Sequence, residues 1–218
     1  MAAMDSNTLR MPDKKPAANI IVFADYACPN SYIGQRRLAQ LHEVLDLSID
    51  WRFIEGRPQT PMAGTPVGEL GMPAEDWRAL MDNLARMAAR EKLPFREPTV
   101  ISNSRKAILL VEAVRTDRPA AFSSLHEGLF AASFAEGLDI GDEGVLRALA
   151  AAAGIDNEFF DYALSEPKFA ERLRINQETA QRIGLQATPA FVIGEQVLEG
   201  AVPTAMLAEM LVEMHEPH

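Results

Sequence analysis

The spacing of apolar residues predicts a strand, a helix and a second strand near the start of the chain. Residues 19–24 contain a short, continuously apolar run, which is typical of a strand buried on both faces. A helix is predicted from Cys28, because Pro29 needs no amide hydrogen at the first helical position and the next apolar residues recur at helical spacing. Residues 47–54 alternate between apolar and polar, which predicts a strand. A strand, helix and strand in this order imply a parallel pair.

The middle of the chain is predicted to be helical and its end to be a hairpin followed by a helix. Residues 55–73 are rich in glycine and proline and predict a loop. From residue 73 to about residue 164 the pattern is entirely helical, with candidate helices over 74–91, 103–116, 119–136, 142–153 and 156–165. A further helix is predicted over 167–183, with a cap at Gly184. A hairpin follows, with strands over 190–193 and 196–199. A last helix begins with Pro203.

These elements predict an α/β fold built from two separated halves. A β-α-β unit comes early and a β-β-α unit late, which gives a small mixed sheet flanked by helices, with an all-helical domain inserted between the halves. We assign residues 1–18 to a frayed tail, 19–60 and 167–218 to the sheet-bearing domain, and 61–166 to the helical insertion.

Composition narrows the classes of function. The net charge is −10 and the basic residues are scattered, which argues against a nucleic-acid partner. No apolar run approaches the roughly 20 residues that span a bilayer, and residues 1–18 lack the apolar segment of a signal peptide. We therefore expect a cytoplasmic protein without a membrane partner. The four histidines (His42, His126, His215 and His218) lack metal-ligand spacing, so no metal site is expected. His126 falls in a predicted helix, where we expect a half-buried residue and not a base for Cys28.

The chain has a single cysteine, and its position suggests chemistry. An internal disulfide is impossible, so any redox role involves the sulfur of another molecule. Cys28 follows a strand and begins a helix, where free amides and the helix dipole favour an anion. Thiols at such positions have pKa values of about 3.5 to 7.5 instead of about 8.5. The alternative is a buried cysteine that acts as a small apolar side chain.

A second feature lies near the end of the chain, where Thr188 and Pro189 directly precede an apolar strand. Proline is tolerated at the first residue of a strand and in a tight connection can be cis. By itself this is also what a simple strand entrance looks like. Together with a Cys-Pro pair at a helix start and a β-α-β frame, it indicates a functional site.

Residues 25–34, Asp-Tyr-Ala-Cys-Pro-Asn-Ser-Tyr-Ile-Gly, resemble the active-site segment of DsbA-family thioredoxin-fold oxidoreductases, in particular the FrnE-like subgroup. The resemblance continues along most of the chain, through residues 51–53, 103–107, 129–140, 188–194 and 200–203. It implies a thioredoxin fold in which Cys28 attacks disulfides. It also implies that Thr188 and a cis Pro189 face Cys28 to dock extended substrate backbone, with Pro29 and Asn30 beside the cysteine as substrate-binding residues.

One position departs from this family. Ser31 stands where the family usually has a second cysteine, so a mixed disulfide at Cys28 cannot be resolved from within. An external thiol such as glutathione would then act as co-substrate, and no tightly bound cofactor is expected. Ser31 either donates a hydrogen bond to the Cys28 sulfur or is a plain first-turn serine. The expected partners are thiols or disulfides, in proteins or small molecules, and a homodimer is compatible with the sequence.

Three functions follow from these residues. The first is a thiol–disulfide oxidoreductase with Cys28 as its single nucleophile. The second is a glutathione-dependent isomerase or transferase of the hydroxychromene-carboxylate isomerase or kappa type; such enzymes have serine where this chain has Cys28, and residues 200–203 lack the Ser-Asp pair expected to bind glutathione. The third is a non-catalytic binding or chaperone-like protein. An ordinary thiol pKa of about 8.5 would favour this function. Such a protein would bind its partners in an adaptable apolar groove lined by Met62, Met72, Met81 and Met87. At helical spacing, however, methionines are more often core residues.

Overall fold

The computed structural model describes residues 17–213. Residues 1–16 of the predicted tail, together with His215 and His218, lie outside this range. Residues 17 and 18 were assigned to the tail, and this prediction is wrong: both belong to the first strand and pair with Asp46 and Leu47 of the second. Ala18 is buried, which explains why the strand extends further than the apolar run suggests.

Besides two 3₁₀ turns and one π-helix, the described residues contain eight α-helices and six strands. In chain order they are β1 (Ala17–Ala24), α1 (Pro29–Val44), β2 (Asp46–Phe53), β3 (Thr65–Pro66), α2 (Ala74–Arg90), β4 (Val100–Ile101), α3 (Arg105–Asp117), α4 (Phe122–Ala131), α5 (Glu143–Ala152), α6 (Asn157–Ser165), α7 (Pro167–Arg182), β5 (Ala190–Ile193), β6 (Gln196–Glu199) and α8 (Thr204–Glu213).

A four-stranded sheet in the order β2-β1-β5-β6 organises the fold. β1 is parallel to β2 and antiparallel to β5, and β6 closes the sheet as an antiparallel edge strand. β1 is buried on both faces: Ile20 and Val22 lie in the main core, while Phe23 packs in a separate cluster with Ile54 and Ala180. The prediction of a strand buried on both faces, in a parallel pair with the second strand, is therefore confirmed.

Helix α1 begins where the proline predicts it. Cys28 is the N-cap, with φ −103° and ψ 115°, and Pro29 occupies the first helical position. The strand β1 ends at Ala24, so only a short turn connects the sheet to the helix. In this turn the Cys28 amide donates to the Asp25 carbonyl oxygen at 3.1 Å.

The region between the two halves departs from the purely helical prediction in two places. Val100–Ile101 pairs with Thr65–Pro66 as a two-residue antiparallel ladder, which is too short to leave a periodic signal in the sequence. The single helix predicted over 119–136 consists of a 3₁₀ turn (Pro119–Ala121), α4 and a π-helix (Ala132–Glu136). Gly137, with φ 72°, ends the π-helix in a left-handed conformation.

One main core joins the sheet to the helices between the two halves. Buried residues from the sheet and from α1, α3, α4 and α8 belong to a single cluster. Phe53 of β2, for example, shares it with Leu110 of α3 and Phe130 of α4. The helical segment is therefore packed directly on the sheet. Among residues 17–213, no helix has the length and apolar character that crossing a bilayer requires.

Candidate functional site

The thiol of Cys28 lies opposite the loop before β5. Cys28 is half-buried, and its Sγ donates to the carbonyl oxygen of Thr188 across 3.2 Å. The Thr188–Pro189 peptide bond is cis. The topology explains this contact, because the end of β1 and the start of β5 are neighbours in the sheet and both lead to the same edge.

Ser31 and Pro189 lie behind the thiol. Ser31 is buried, and its Oγ accepts a hydrogen bond from the Asp25 amide at 3.3 Å. Pro189 is also buried and faces Gly34 of α1. A Cβ atom on Gly34 would lie 3.0 Å from Pro189 Cγ and 3.1 Å from Phe191 Cζ. Glycine at position 34 therefore allows α1 to approach the Pro189 loop closely.

A cavity of about 270 Å³ opens beside the thiol. Four of the six predicted site residues line it (Cys28, Pro29, Asn30 and Thr188), whereas Ser31 and Pro189 do not. The opposite wall comes from the segment between the two halves of the fold. Its apolar residues include Trp77, Leu80, Phe95, Ile101, Phe134 and Leu138. Sequence reasoning missed this wall, because apolar spacing identifies a helix but does not show which of its faces meets a distant element.

Asp25 is a buried carboxyl beneath the thiol, and it was not assigned a role from the sequence. It is 3% exposed; Oδ1 accepts from the Ala27 amide at 3.0 Å and Oδ2 from the Gly56 amide at 2.8 Å. Burial raises its pKa, while hydrogen bonds from Ser104, Ala27 and Gly56 and the charge of Arg57 act in the opposite direction. The available signal was its place in the motif, three residues before Cys28.

The ionisation of Cys28 differs from the sequence prediction. Burial and the nearby Asp25 carboxylate raise the thiol pKa above its ordinary value, although the Thr188 side chain and the amide and hydroxyl of Ser31 favour the thiolate. The predicted lowering by the helix N-terminus is therefore wrong in direction. Its physical cause is that removing the sulfur from water disfavours the anion more than these hydrogen bonds stabilise it.

A buried tyrosine–histidine pair connects the turn before α1 to α4. The Tyr26 hydroxyl and His126 Nδ1 are 2.7 Å apart. His126 is 4% exposed, so the prediction of a half-buried residue is wrong. It lies among aromatic rings, including those of Trp51 and Phe122, and burial lowers its pKa to about 3. Its Nε2 has no hydrogen-bond partner in the described part of the chain. Among residues 17–213, the hydrogen bond of His126 goes to Tyr26 and that of the Cys28 thiol to Thr188, so no hydrogen bond joins the histidine to the thiol.

The four methionines do not form a common groove. Met62 and Met72 are 49% and 41% exposed and do not line the cavity. Met81 is buried and lines it, and Met87 is half-buried beside Met81 in a small cluster. Within residues 17–213, no group of three histidine, cysteine or acidic side chains is close enough to hold a metal ion.

Comparisons with known proteins identify a matching family model and similar folds. The model of the DSBA-like thioredoxin domain family matches residues 19–212. The uncharacterised protein YwbO of Bacillus subtilis (strain 168) is 26% identical over 190 residues, which are 84% of this chain and 90% of that protein.

Among solved structures, a probable DsbA oxidoreductase from Streptomyces coelicolor matches with a TM-score of 0.77 at 24% identity, covering 90% of this chain and 89% of the other. A 2-hydroxychromene-2-carboxylate isomerase matches with a TM-score of 0.71 at 20% identity, covering 90% and 95%. Identities this low show a shared fold. The predicted α/β thioredoxin fold with a helical insertion is thereby confirmed.

Proposed function

Because the chain belongs to the DSBA-like thioredoxin domain family, we propose that it exchanges thiols and disulfides through Cys28 as its single nucleophile. One observation carries this proposal: the sulfur of Cys28 is half-buried at the N-cap of α1, within 3.2 Å of the Thr188 carbonyl, and faces a cavity large enough for a substrate. A cysteine with a purely structural role would be packed among apolar side chains without such an opening.

The first step forms a mixed disulfide. The Cys28 thiolate attacks one sulfur of a substrate disulfide; a bond forms between the two sulfurs, the substrate disulfide breaks, and its other half leaves as a thiolate that takes a proton from water. The Ser31 amide and hydroxyl and the Thr188 side chain, which favour the thiolate, support the attacking form.

The second step requires a thiol from outside the chain. With Ser31 in place of a second cysteine, no sulfur within the protein can attack the mixed disulfide. An external thiolate, for which we propose glutathione, attacks the substrate sulfur, forms a new disulfide with it and releases Cys28 as a thiolate. The atoms and electrons balance without a bound cofactor.

Asp25 sets the pH range of the reaction. Its carboxylate disfavours a second negative charge on Cys28, whereas its protonated form does not. Burial raises the pKa of both groups, so the attacking thiolate becomes more abundant as the pH rises. We therefore propose that exchange accelerates toward alkaline pH.

The raised thiol pKa also favours a second candidate, a binding protein without turnover. In that case the cavity would hold a ligand while Cys28 stays protonated and donates to Thr188. The two candidates differ in one respect: only the enzyme loses an activity when the sulfur is removed.

Turnover of a glutathionylated peptide in the presence of reduced glutathione tests the proposal. The wild type should accelerate deglutathionylation, Cys28→Ala should be at the uncatalysed rate, and Ser48→Ala, an exposed change on β2, should match the wild type. Activity that survives in Cys28→Ala contradicts the single-nucleophile mechanism. No activity of the wild type on this peptide or on a small-molecule disulfide, with retained ligand binding, favours the binding protein.

A further inference from the structure

The wall of the cavity opposite Cys28 is aromatic and held in place. Trp77 of α2 donates its indole N–H to Glu97. The Arg96 amide, next to Phe95, donates to the Phe134 carbonyl oxygen at 2.7 Å. The π-helix that carries Phe134 is a feature often found at functional sites. Three aromatic side chains from three different segments thus face one space beside the thiol.

The size of the cavity limits what can occupy it. A dry cavity of roughly 150 Å³ accepts one benzene molecule, and sites for drug-sized ligands have about 300 to 1,000 Å³. At about 270 Å³, the space beside Cys28 accommodates one substituted ring but not several residues of a peptide.

Charge further limits the occupant. The ionisable groups in the wall besides Cys28 itself are Asp25, Arg57 and Asp139. Arg57 is exposed and its charge acts on Asp25, while Asp139 accepts from the Gly141 amide. The wall therefore has no excess of positive charge, and the whole chain carries a net charge of −10. Arg57 is the one cation among the described residues of the wall and is opposed there by Asp25 and Asp139, so an anionic group would lose hydration in this space with little compensation.

We infer that the cavity binds an uncharged aromatic group attached to the sulfur that Cys28 attacks. The substrate class is thus a small aromatic thiol presented as a disulfide, and the external thiol approaches from the solvent side. This inference rests on the proposed function for its chemistry, but the binding of the ring does not depend on the reactivity of the thiol.

Binding to Cys28→Ala tests the inference without any bond being formed. The probes are thioanisole, an uncharged aryl thioether, and 4-(methylthio)benzoate, which has the same skeleton with a carboxylate. Titration calorimetry should show that thioanisole binds one site at least tenfold more tightly than the benzoate. Equal or tighter binding of the benzoate, or no binding of thioanisole, overturns the inference.

A matched pair of tryptophan substitutions locates the site. Leu138 is 41% exposed at the cavity wall, and Ile175 is 44% exposed on α7, away from it. Leu138→Trp fills part of the space and should weaken thioanisole binding at least fivefold, whereas Ile175→Trp should leave it unchanged. If both variants bind like the parent protein, the ring does not occupy this cavity.

Protection of the wild-type thiol connects the ring site to the sulfur. Saturating thioanisole should slow the alkylation of Cys28 by iodoacetamide at least fivefold, and an unchanged rate contradicts the inference. Binding and protection without turnover of any disulfide would overturn the proposed function alone. Turnover without binding of thioanisole would overturn only the aromatic substrate class.

Discussion

At the scale of single residues, the reactivity of Cys28 depends on a balance between burial and hydrogen bonding. Removal from water and the Asp25 carboxylate raise the thiol pKa, while Ser31 and Thr188 stabilise the anion. The sequence shows the helix start and therefore the favourable dipole. It does not show how much water the folded chain removes from the sulfur, so the direction of the shift could not be predicted from the sequence.

Asp25→Asn is expected to lower the pKa of Cys28, because it removes the negative charge next to the thiol. The midpoint of iodoacetamide alkylation against pH should move to lower pH than in the wild type. One of the two backbone amides bound by Asp25 loses its acceptor, which costs about 1 to 2 kcal/mol of stability. Asp46→Asn, an exposed change at the far end of β2, should leave the midpoint where it is. An unchanged or higher midpoint in Asp25→Asn would refute this role.

His126 is expected to make the fold sensitive to acid. Its pKa is about 3 in the folded protein and 6.5 as the unperturbed value, so between these values the unfolded state binds a proton that the folded state excludes. The free energy of unfolding therefore falls as the pH drops below about 6.5, by about 3 kcal/mol at pH 4.

His126→Phe should remove most of this acid dependence, as measured by urea unfolding at pH 7 and pH 4. At pH 7 the variant leaves the Tyr26 hydroxyl unpaired, which costs about 1 to 3 kcal/mol. The double variant Tyr26→Phe/His126→Phe removes both partners and should recover much of that loss. The same loss of stability at pH 4 in the wild type and in His126→Phe would show that other groups cause the acid sensitivity.

At the scale of elements, a buried arginine connects α1 to two segments that are distant in sequence. Arg37 Nε donates to Glu91 Oε1 at 2.7 Å, and its Nη1 donates to the carbonyl oxygens of Ala201 and Val202 at 2.6 and 2.8 Å. Glu91 caps α2, and residues 201 and 202 lie in the turn before α8. No local pattern distinguishes Arg37 from the surface arginines, so this contact could not be predicted from the sequence.

Arg37→Met is expected to lower the free energy of unfolding by about 3 to 5 kcal/mol, because it leaves a largely buried carboxylate and two carbonyl oxygens without a donor. Arg37→Lys should restore only part of the loss, since an ammonium cannot reproduce the planar geometry. Arg86→Met, an exposed change on α2, should change stability by less than about 0.5 kcal/mol. Urea unfolding at one pH measures all three variants, and equal stability of Arg37→Met and Arg86→Met would contradict the role of Arg37.

Most elements were predictable, and the exceptions have physical reasons. A continuously apolar run identified β1, and apolar residues at helical or alternating spacing identified α1 and β2, because burial imposes a pattern on the residues. β3 and β4 have two residues each, too few for any repeat. The π-helix has only five residues, about one turn, which is too short to leave an apolar spacing different from that of the α-helix before it.

At the scale of the whole molecule, the helical segment takes part in building the site. Ser104 bonds to Asp25, His126 to Tyr26, and the Tyr32 hydroxyl donates to the Pro94 carbonyl oxygen at 3.1 Å. The contact between Cys28 and Thr188 was anticipated from the resemblance to the DsbA family. The cavity wall could not be anticipated, because it depends on how helices more than 40 positions away in the sequence pack on the sheet.

The central claim is exchange through one sulfur and an external thiol. The lifetime of the Cys28 mixed disulfide tests it most directly, and intact-mass spectrometry measures this lifetime after the protein is mixed with a disulfide substrate. The account predicts a single adduct that persists without added thiol and disappears once reduced glutathione is supplied. An adduct that never forms, or one that decays equally fast without any added thiol, would contradict it.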